Sequence, residues 1–354
     1  MNPQEQLCPN PECGASGKAG QIGIHSRQEQ RYRCKCCGRT FSASYGTAYY
    51  RVKKAHELLT VVVTLLAYGC PVQAIVQAFA LDERTVWAWM QRAGHHCRAV
   101  HEQTVLQREL DLIQIQADEL KVKTYLGTVW MGLVMSVKTR LWLGGAVECQ
   151  RGKCLLHRVL EYAQRSGREG KVLVAVDGFN IYLEVIPRLF QRRWDWLRAC
   201  WQGWTEVAIV QTMKQRRGKR GKVECQIASG TPQQVQQFIQ RSQGHGGINT
   251  AFIERLNATF RLRLHCLVRA SRTLVRQPQA LEGWMWLAGS CYNFCTDHEA
   301  LRLELPVSAR KHSWIKRTPA MAAGLTDHRW SITELLTFKH PPCGWLFLQK
   351  TRGT

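Results

Sequence analysis

Three carboxylates in separate segments of the chain could together form a metal-binding catalytic site: Asp118, Asp177 and Glu254. Carboxylate oxygens are the ligands that Mg²⁺ and Mn²⁺ prefer in proteins. Two such ions about 4 Å apart activate a water or a 3′-hydroxyl and stabilise the leaving oxygen in phosphoryl transfer. If the fold brings these side chains together, the sequence predicts a site for metal-dependent phosphoryl transfer.

Each of these acids also has an ordinary structural interpretation. Asp177 precedes Gly178, and Asp-Gly is a common turn pair. Asp118 has an acidic neighbour, Glu119, so either of the two could be the site residue. Glu254 could be a surface glutamate paired with an arginine. The catalytic interpretation therefore depends on the elements that position the acids.

Glu254 lies in the stretch "INTAFIERLNATFRLRLH", whose apolar residues recur at helical spacing. We predict a helix over residues 249–269. At about 100° per residue, Glu254 shares a face with Asn257, Arg261 and His265, turned away from the apolar stripe. These three neighbours are candidate contacts to a nucleic-acid strand.

The segments around Asp118 and Asp177 predict a sheet. Five segments are expected to form three antiparallel strands, a helix and a fourth strand, in this order: 112–123, 129–137, 141–148, 154–167 and 171–179. The last strand is a continuous apolar run, which is typical of a strand buried on both faces. This order is that of a ribonuclease H-like fold, in which Asp177 would end the buried strand beside the strand of Asp118.

Two pairs of cysteines near the N-terminus have the spacing of a metal site: Cys8 with Cys13, and Cys34 with Cys37. Two such pairs about 20 residues apart fit a tetrahedral four-thiolate zinc site, which would supply folding energy to a small domain. Cys36 is an alternative ligand to Cys37. Four thiolates leave no open position, so the zinc is expected to be structural. Basic residues around the second pair are expected to contact DNA backbone: Arg31, Arg33, Lys35 and Arg39.

The next segment predicts a helix-turn-helix. Residues 53–67 and 71–79 are expected to form helices, and Asp82 can cap a third helix that begins at Glu83. Val86 and Trp89 would pack inward. The candidate groove-facing residues of the third helix are Arg84, Thr85 and Gln91.

A basic segment, "KQRRGKRGK" (214–222), separates two further predicted strands. We expect a hairpin whose tip binds phosphates, because such contacts dominate affinity for nucleic acids; a solvated loop is the alternative. The candidate DNA contacts at this tip are Arg216, Arg217, Lys219 and Arg220. Nearby tryptophans are expected to lie in the core or a subunit interface rather than to stack on bases: Trp194, Trp196, Trp201 and Trp204.

The overall charge favours a polyanionic partner. The chain has 49 Lys+Arg and 26 Asp+Glu, a net charge of +23, and nucleic acid is the default partner for such an excess. A membrane surface is the rival, but the longest apolar run, 58–67, is too short to span a bilayer. Fifteen cysteines without a secretion signal predict reduced thiols and metal rather than disulfides.

These motifs together resemble a known family. Seven stretches carry the resemblance: "YRCKCCGRTFSA", "GCPVQAIVQAFALDERTV", "IQADELKVK", "VAVDGFNIY", "INTAFIERLNATFR", "YNFC" with His298 following, and "RTPAMAAGLTDHRWS" (317–331). They are similar to insertion-sequence transposases of the DDE class. The resemblance implies that Asp118, Asp177 and Glu254 are the metal-binding catalytic acids. Related proteins tend to have Trp after "ADEL", where this chain has Lys121.

The resemblance also implies an organisation and an activity. We expect four parts: a zinc ribbon (1–50), a helix-turn-helix domain (51–105), a ribonuclease H-like mixed β-sheet with flanking helices and an inserted basic hairpin at about 200–230 (106–300), and a C-terminal extension (301–354). The implied activity is Mg²⁺- or Mn²⁺-dependent cleavage at transposon ends and joining to target DNA, by a homo-oligomer on DNA in the bacterial cytoplasm. The alternatives are a decayed copy acting only as a DNA-binding regulator, and a structure-selective nuclease.

Overall fold

The computed structural model of the chain describes residues 2–125, 127–195, 200–215, 222–268, 278–305 and 313–339. Its N-terminal part is an antiparallel sheet of three short strands: β1 (Ile22–Ser26), β2 (Arg31–Cys34) and β3 (Thr40–Ser42). Tyr32 and Phe41 pair across β2 and β3 and are buried with the cysteines. This small core is separate from the core of the rest of the protein.

Three helices follow, as the sequence predicts: α1 (His56–Ala67), α2 (Val72–Phe79) and α3 (Glu83–Thr104). The Asp82 side chain caps α3 by accepting a hydrogen bond of 2.7 Å from the backbone N–H of Arg84. Val86 and Trp89 are buried. Helix α3 is 22 residues long, and its buried apolar stripe continues through Ala93, Cys97 and Val100.

A six-stranded mixed sheet forms the centre of the molecule, in the order β11-β10-β7-β4-β5-β6. The elements from β4 to the C-terminal region are β4 (Gln114–Thr124), β5 (Gly127–Ser136), β6 (Trp142–Glu148), α4 (Lys153–Ser166), β7 (Lys171–Asp177), α5 (Tyr182–Leu189), β8 (Arg192–Asp195), β9 (Cys200–Gly203), β10 (Glu206–Gln215), β11 (Lys222–Ser229), α6 (Pro232–Gln243), α7 (Ala251–Arg263), α8 (Pro278–Ser290), β12 (Leu303–Leu305), β13 (Ser313–Ile315), α9 (Pro319–Ala322) and α10 (Ile332–Thr337). Strands β4, β5 and β6 are antiparallel neighbours, and β7 is parallel to β4. The mixed sheet is confirmed, and its strand order is consistent with a ribonuclease H-like domain.

The expected basic hairpin is part of this sheet. Strands β10 and β11 pair with each other, but β10 also pairs in parallel with β7 over its first seven residues. Strand β10 lies inside the sheet because its consecutive residues Ala208, Ile209 and Val210 place apolar, buried side chains on both faces of the strand. The hairpin tip, 216–221, lies outside the described residues.

Helix α3 joins the three-helix region to the central sheet. Its Gly94 packs so closely on Gly283 of α8 that a Cβ on Gly94 would lie 2.2 Å from the Gly283 carbonyl oxygen. In the last turn of α3, the fully buried His101 places Nε2 2.8 Å from the carbonyl oxygen of Leu143 in β6. The helices and the sheet therefore share one continuous hydrophobic core.

Helix α7 is shorter than the predicted helix over 249–269. It ends at Arg263, and residues His265–Leu267 form a 3₁₀ turn. Arg263 is buried and donates hydrogen bonds to the Ala288 carbonyl (3.0 Å) and to Thr296 Oγ1 (2.8 Å). These tertiary contacts end the helix where local periodicity would continue it. Within the described residues, no helix is long and apolar enough to cross a membrane.

Candidate functional site

One face of β4 carries a row of polar side chains that fixes two helices. Gln114 Oε1 accepts a hydrogen bond of 2.6 Å from Ser242 Oγ near the end of α6. Two residues further, Gln116 donates to the Asn249 carbonyl (2.7 Å) and accepts from the backbone N–H of Ile253 (2.9 Å). Because alternate residues of a strand point to the same side, this row sets where α6 ends and α7 begins.

The next residue on that face of β4 is Asp118. Its Oδ2 accepts a hydrogen bond of 2.7 Å from Asn257 Nδ2, and its Oδ1 accepts one of 2.8 Å from the Glu119 backbone N–H. Asn257 is almost fully buried. Asn257 was expected to contact a nucleic-acid strand; in the structure it ties α7 to β4 beside an acid.

The parallel pairing of β4 with β7 brings the two aspartates together. Gln116 lies opposite Ala175, and Asp118 and Asp177 each follow two residues later. Carboxylate oxygens of Asp118, Glu119 and Asp177 lie within 4.8 Å of one another. We refer to these three residues as the acid cluster. It brings together two of the three acids that the sequence singles out, and Glu119 joins them.

Glu119 is the most enclosed member of the acid cluster, with a side chain that is 0% exposed. Tyr182 donates a hydrogen bond to its Oε1. Arg151 donates to its Oε2 from Nε (2.9 Å) and Nη2 (2.7 Å), and the same Nη2 lies 2.6 Å from Asp177 Oδ2. Phe179 packs against the guanidinium carbon at 4.1 Å from its ring centre. A fixed positive charge therefore joins two of the acids.

Burial and the repulsion of neighbouring carboxylates raise the pKa values of Asp118 and Glu119. Burial, followed by the neighbouring Glu119 carboxylate, raises the pKa of Asp118 to about 7. Burial also raises the pKa of Glu119, although Tyr182 and Arg151 act in the opposite direction. A group of carboxylates that resist full ionisation is an environment in which a bound cation is favourable. The acid cluster has the donor set for a divalent metal ion.

Glu254 lies outside the acid cluster. It is exposed in the first turn of α7, where its Oε1 accepts a hydrogen bond of 3.2 Å from Thr250 Oγ1. It is three residues before Asn257, so the two side chains lie on the same side of the helix. Glu254 is therefore about one helical turn from a side chain that contacts Asp118.

The other predicted DNA contacts fall into different environments. Arg84 is exposed at the start of α3, and Thr85 is half-buried. Gln91 differs, because its amide lies against Gly283: a Cβ on Gly283 would be 2.7 Å from Gln91 Oε1. Gln91 is half-buried like Thr85, but its side chain packs on α8.

The remaining predicted DNA contacts are two residues near the end of α7 and four in the basic hairpin. Arg261 is half-buried on α7. His265 lies beyond the helix, in the 3₁₀ turn, and its Nε2 contacts the carbonyl of Gly69 in the α1–α2 turn. Four predicted contacts lie outside the described residues: Arg216, Arg217, Lys219 and Arg220.

The four predicted cysteine ligands lie together beside the N-terminal sheet, and Cys34 ends its second strand. Their Sγ atoms are within 4.8 Å of one another, with Cys8 to Cys37 at 3.6 Å and Cys13 to Cys34 at 3.9 Å. Tetrahedral zinc with Zn–S bonds of about 2.3 Å requires sulfurs roughly 3.8 Å apart. Cys37 belongs to this group, whereas the exposed Cys36 does not. A hydrogen bond from the Arg39 backbone lowers the pKa of Cys37 to about 7.

A basic groove of about 630 Å³ lies between the N-terminal sheet and α1. Its lining includes basic and aromatic side chains and no acid: Arg31, Arg39, Arg51, His56, Phe41, Tyr45, Tyr49 and Tyr50. Two of the arginines are among those that the sequence assigned to DNA contacts. Their position favours an anionic ligand at this groove.

Sequence reasoning missed Arg151 and Tyr182 as members of the acidic site. Arg151 is one of 49 basic residues and follows β6 without any motif of its own. Tyr182 ends the stretch "VAVDGFNIY", so its closeness to Asp177 in sequence was a usable signal. The partner that orients both, Glu119, was considered only as an alternative to Asp118.

Comparisons with known proteins give a similarity of backbone rather than of sequence. Neither a protein-family model nor a curated protein sequence matches this chain. Among solved structures, the cryo-EM structure of the piggyBac transposase synaptic complex with hairpin DNA aligns with 70% of this chain and 69% of its own chain. The identity is 10% and the TM-score is 0.35. At this level of similarity, the functional argument has to come from the site itself.

Proposed function

We propose that this chain is a DDE-type DNA transposase, which binds transposon ends and catalyses metal-dependent strand cleavage and strand transfer. The observation that carries the proposal is the meeting of Asp118, near the middle of β4, with Asp177 at the carboxyl end of β7. The net charge of +23 supports DNA as the substrate, since carboxylates clustered in such a basic chain are best explained by bound cations.

Asp118 and Asp177 would hold Mg²⁺ or Mn²⁺. An ion there would supply activation of a water or 3′-hydroxyl and stabilisation of the leaving oxygen. The chain's own contribution is position: Asn257 and the Glu119 backbone orient the Asp118 carboxylate, and the Phe179 N–H, 3.0 Å from Asp177 Oδ1, orients the second. Carboxylates held in this way keep their geometry without reorganisation during the reaction.

Glu254 is our candidate for the third acid, in preference to Glu119. The Glu119 side chain is fully buried, and it accepts three side-chain hydrogen bonds, one from Tyr182 and two from Arg151. Glu254 is exposed and lies one helical turn before Asn257, which is hydrogen-bonded to Asp118, and we expect a change of its side-chain rotamer to bring it to a bound metal ion. Glu119 then acts by orienting neighbours rather than by binding metal.

The N-terminal parts would supply DNA binding. Cys8, Cys13, Cys34 and Cys37 would hold a structural Zn²⁺ that stabilises the three-stranded sheet. The basic groove beside this sheet would contact the DNA backbone, and Arg84 and Thr85 at the start of α3 would read the transposon end. Assembly on paired ends as a homo-oligomer is part of the proposal.

The test uses purified full-length protein and a DNA duplex carrying the terminal repeats that flank the coding sequence. In Mg²⁺, the wild-type protein should nick the end and join its 3′-hydroxyl to a target duplex. Asp118→Asn and Asp177→Asn should bind the end as well as wild type but lose both reactions, because the two steps share one site. Cutting without joining would indicate a nuclease instead, and wild-type nicking by Asp177→Asn would overturn the proposal.

A further inference from the structure

Arg151 occupies the acid cluster from the loop between β6 and α4. Its guanidinium donates to Glu119 Oε2 and Asp177 Oδ2, which belong to neighbouring strands β4 and β7. The two contacts at Nη2 are 2.7 and 2.6 Å, the short distances of charge-assisted hydrogen bonds. The side chain is 28% exposed and lies against the Phe179 ring.

A divalent cation and this guanidinium compete for the same oxygens. An arginine stays charged at any pH relevant to proteins. Magnesium binds carboxylate oxygen at about 2.1 Å and demands near-octahedral geometry. An ion that Asp177 and Asp118 share would therefore lie against the positive charge at Asp177 Oδ2, and repulsion between the two cations would favour release of Arg151 from that oxygen.

Glu119 keeps its hold on Arg151 when the contact to Asp177 is lost. Its Oε2 accepts from both Nε and Nη2 of the guanidinium, and its Oε1 is engaged by the buried Tyr182. The ring of Trp130, at 5.4 Å, also flanks the guanidinium. These bonds use Nε and Nη2, so the Nη1 donors are not used in them. The arginine would then remain bound to Glu119, and its Nη1 donors would be available to another ligand.

We propose that Arg151 is the internal counter-cation of the acid cluster, and that metal binding transfers it from Asp177 to a phosphate of the DNA strand in the site. The proposal rests on the proposed function, because it requires a metal ion and a DNA strand at these acids. A planar guanidinium with several N–H donors matches phosphate oxygens. Glu119 is the positioning residue that holds Arg151 through this exchange.

The first test measures metal binding without DNA and without activity. Full-length, zinc-loaded protein is titrated with Mn²⁺, and bound Mn²⁺ is followed by electron paramagnetic resonance. Arg151→Gln should bind Mn²⁺ at the acid cluster about tenfold more tightly than wild type, because competing cations are coupled by a factor of this order. Equal or weaker binding would overturn the counter-cation role.

Arg158→Gln is the matched control. Arg158 is 36% exposed and also contacts two acids, Glu148 and Glu282, but it lies outside the acid cluster. Its replacement should leave Mn²⁺ affinity unchanged. If Arg151→Gln does not fold, Arg151→Met also removes the charge and should give the same increase in affinity; no increase with a folded Arg151→Met would count against the proposal.

The second test concerns the phosphate contact. Binding of the end-bearing duplex is measured against salt concentration, with and without Ca²⁺, a hard cation that takes the same oxygen ligands. Arg151→Gln should reduce the salt dependence by about one phosphate contact with Ca²⁺ and leave it unchanged without Ca²⁺. An equal effect in both conditions would overturn the transfer to phosphate.

The two proposals fail in different ways. Wild-type protein that binds no Mn²⁺ at the acid cluster, with Asp177→Asn behaving identically, would refute the proposed function. Mn²⁺ that binds wild type and is lost in Asp177→Asn, but binds Arg151→Gln no more tightly, would refute only the role of Arg151.

Discussion

The cysteine group and the acid cluster are two candidate metal sites built on opposite principles. The cysteines come from one short segment, and their sulfurs already lie 3.6 and 3.9 Å apart in pairs. The acids come from strands that are distant in sequence, and their mutual repulsion is balanced by Arg151. In the cysteine group, four identical ligands would fill every coordination position of the metal. In the acid cluster, positions on a bound metal would stay open to other ligands.

This difference separates a site that stabilises a fold from a site that exchanges ligands. Four thiolates satisfy zinc completely, so nothing further can bind. At the acid cluster, each oxygen of Asp118 and Asp177 accepts one hydrogen bond, and the donor to Asp177 Oδ2 is Arg151, which on our proposal moves away when metal binds. We therefore expect replacement of any one cysteine ligand to abolish zinc binding. Replacements at and around the acid cluster should differ from one another in how much activity they remove.

The largest effect is expected at the cysteine group. Cys34→Ser should lose the bound zinc and unfold the N-terminal sheet, because metal contributes on the order of 10 kcal/mol to domains of this kind. Zinc content by mass spectrometry and protease resistance of residues 2–45 would measure this. Cys36→Ser, at an exposed cysteine outside the group, is the control and should retain one zinc. Full zinc content in Cys34→Ser would show that the four cysteines are not a structural zinc site.

The second largest effect is expected on the cleavage rate, and it distinguishes the role of Glu254 from that of Glu119. Residues one contact away from a metal typically change activity by about 10- to 100-fold when replaced. Glu119→Gln should fall in this range and also lower thermal stability, since it leaves Arg151 without its buried partner. Glu254→Gln should keep the stability of the wild type and lose more activity. The reverse ranking, measured as cleavage rate and melting temperature, would make Glu119 the third acid.

A buried titratable group outside both sites provides the third test. Burial lowers the pKa of His101 to about 4, from an ordinary value of 6.5. The unfolded chain therefore binds the proton more readily, so stability is lost as pH falls from about 6.5 to 4. The loss approaches 3 kcal/mol at the low end.

The His101→Gln variant isolates this contribution. A glutamine can still donate to the Leu143 carbonyl but does not titrate, so its free energy of unfolding should depend less on pH over that window. Urea unfolding at several pH values measures the difference from wild type. Parallel pH profiles for the two proteins would show that His101 does not titrate as expected.

The smallest effect concerns the contacts that bring DNA to the acid cluster. Arg84→Ala should reduce discrimination between end and random DNA by about 1–3 kcal/mol, and Lys219→Ala should weaken binding to all sequences alike. Gln91→Ala is the control on the same helix, because that side chain packs on Gly283. Competition binding assays compare them. Equal losses of discrimination at Arg84 and Gln91 would contradict this placement of α3.

Local patterns predicted more of this structure than long-range contacts did. Cysteine spacing, the Asp82 cap and strand periodicity depend on neighbours in sequence, and the parallel pairing of β4 with β7 followed from element order. The end of α7 depends on partners that Arg263 finds in distant segments. Arg151 had no local signal, because its role arises only when two strands meet.

On the proposed function, the length of α3 bears on the distance between the DNA sequence that is recognised and the bond that is cut. This helix has 22 residues, so it is about 33 Å long, close to the rise of ten base pairs. Its first turn carries Arg84, and its last turn is fixed to β6 through His101. On the proposed function, the rigid helix α3 fixes the distance between the DNA-recognition residues and the acid cluster. The number of base pairs between the recognised sequence and the cut bond is then constant, which a flexible linker would not ensure. Inserting five base pairs between them would turn the scissile phosphate to the opposite side of the duplex, and cleavage should stop rather than move.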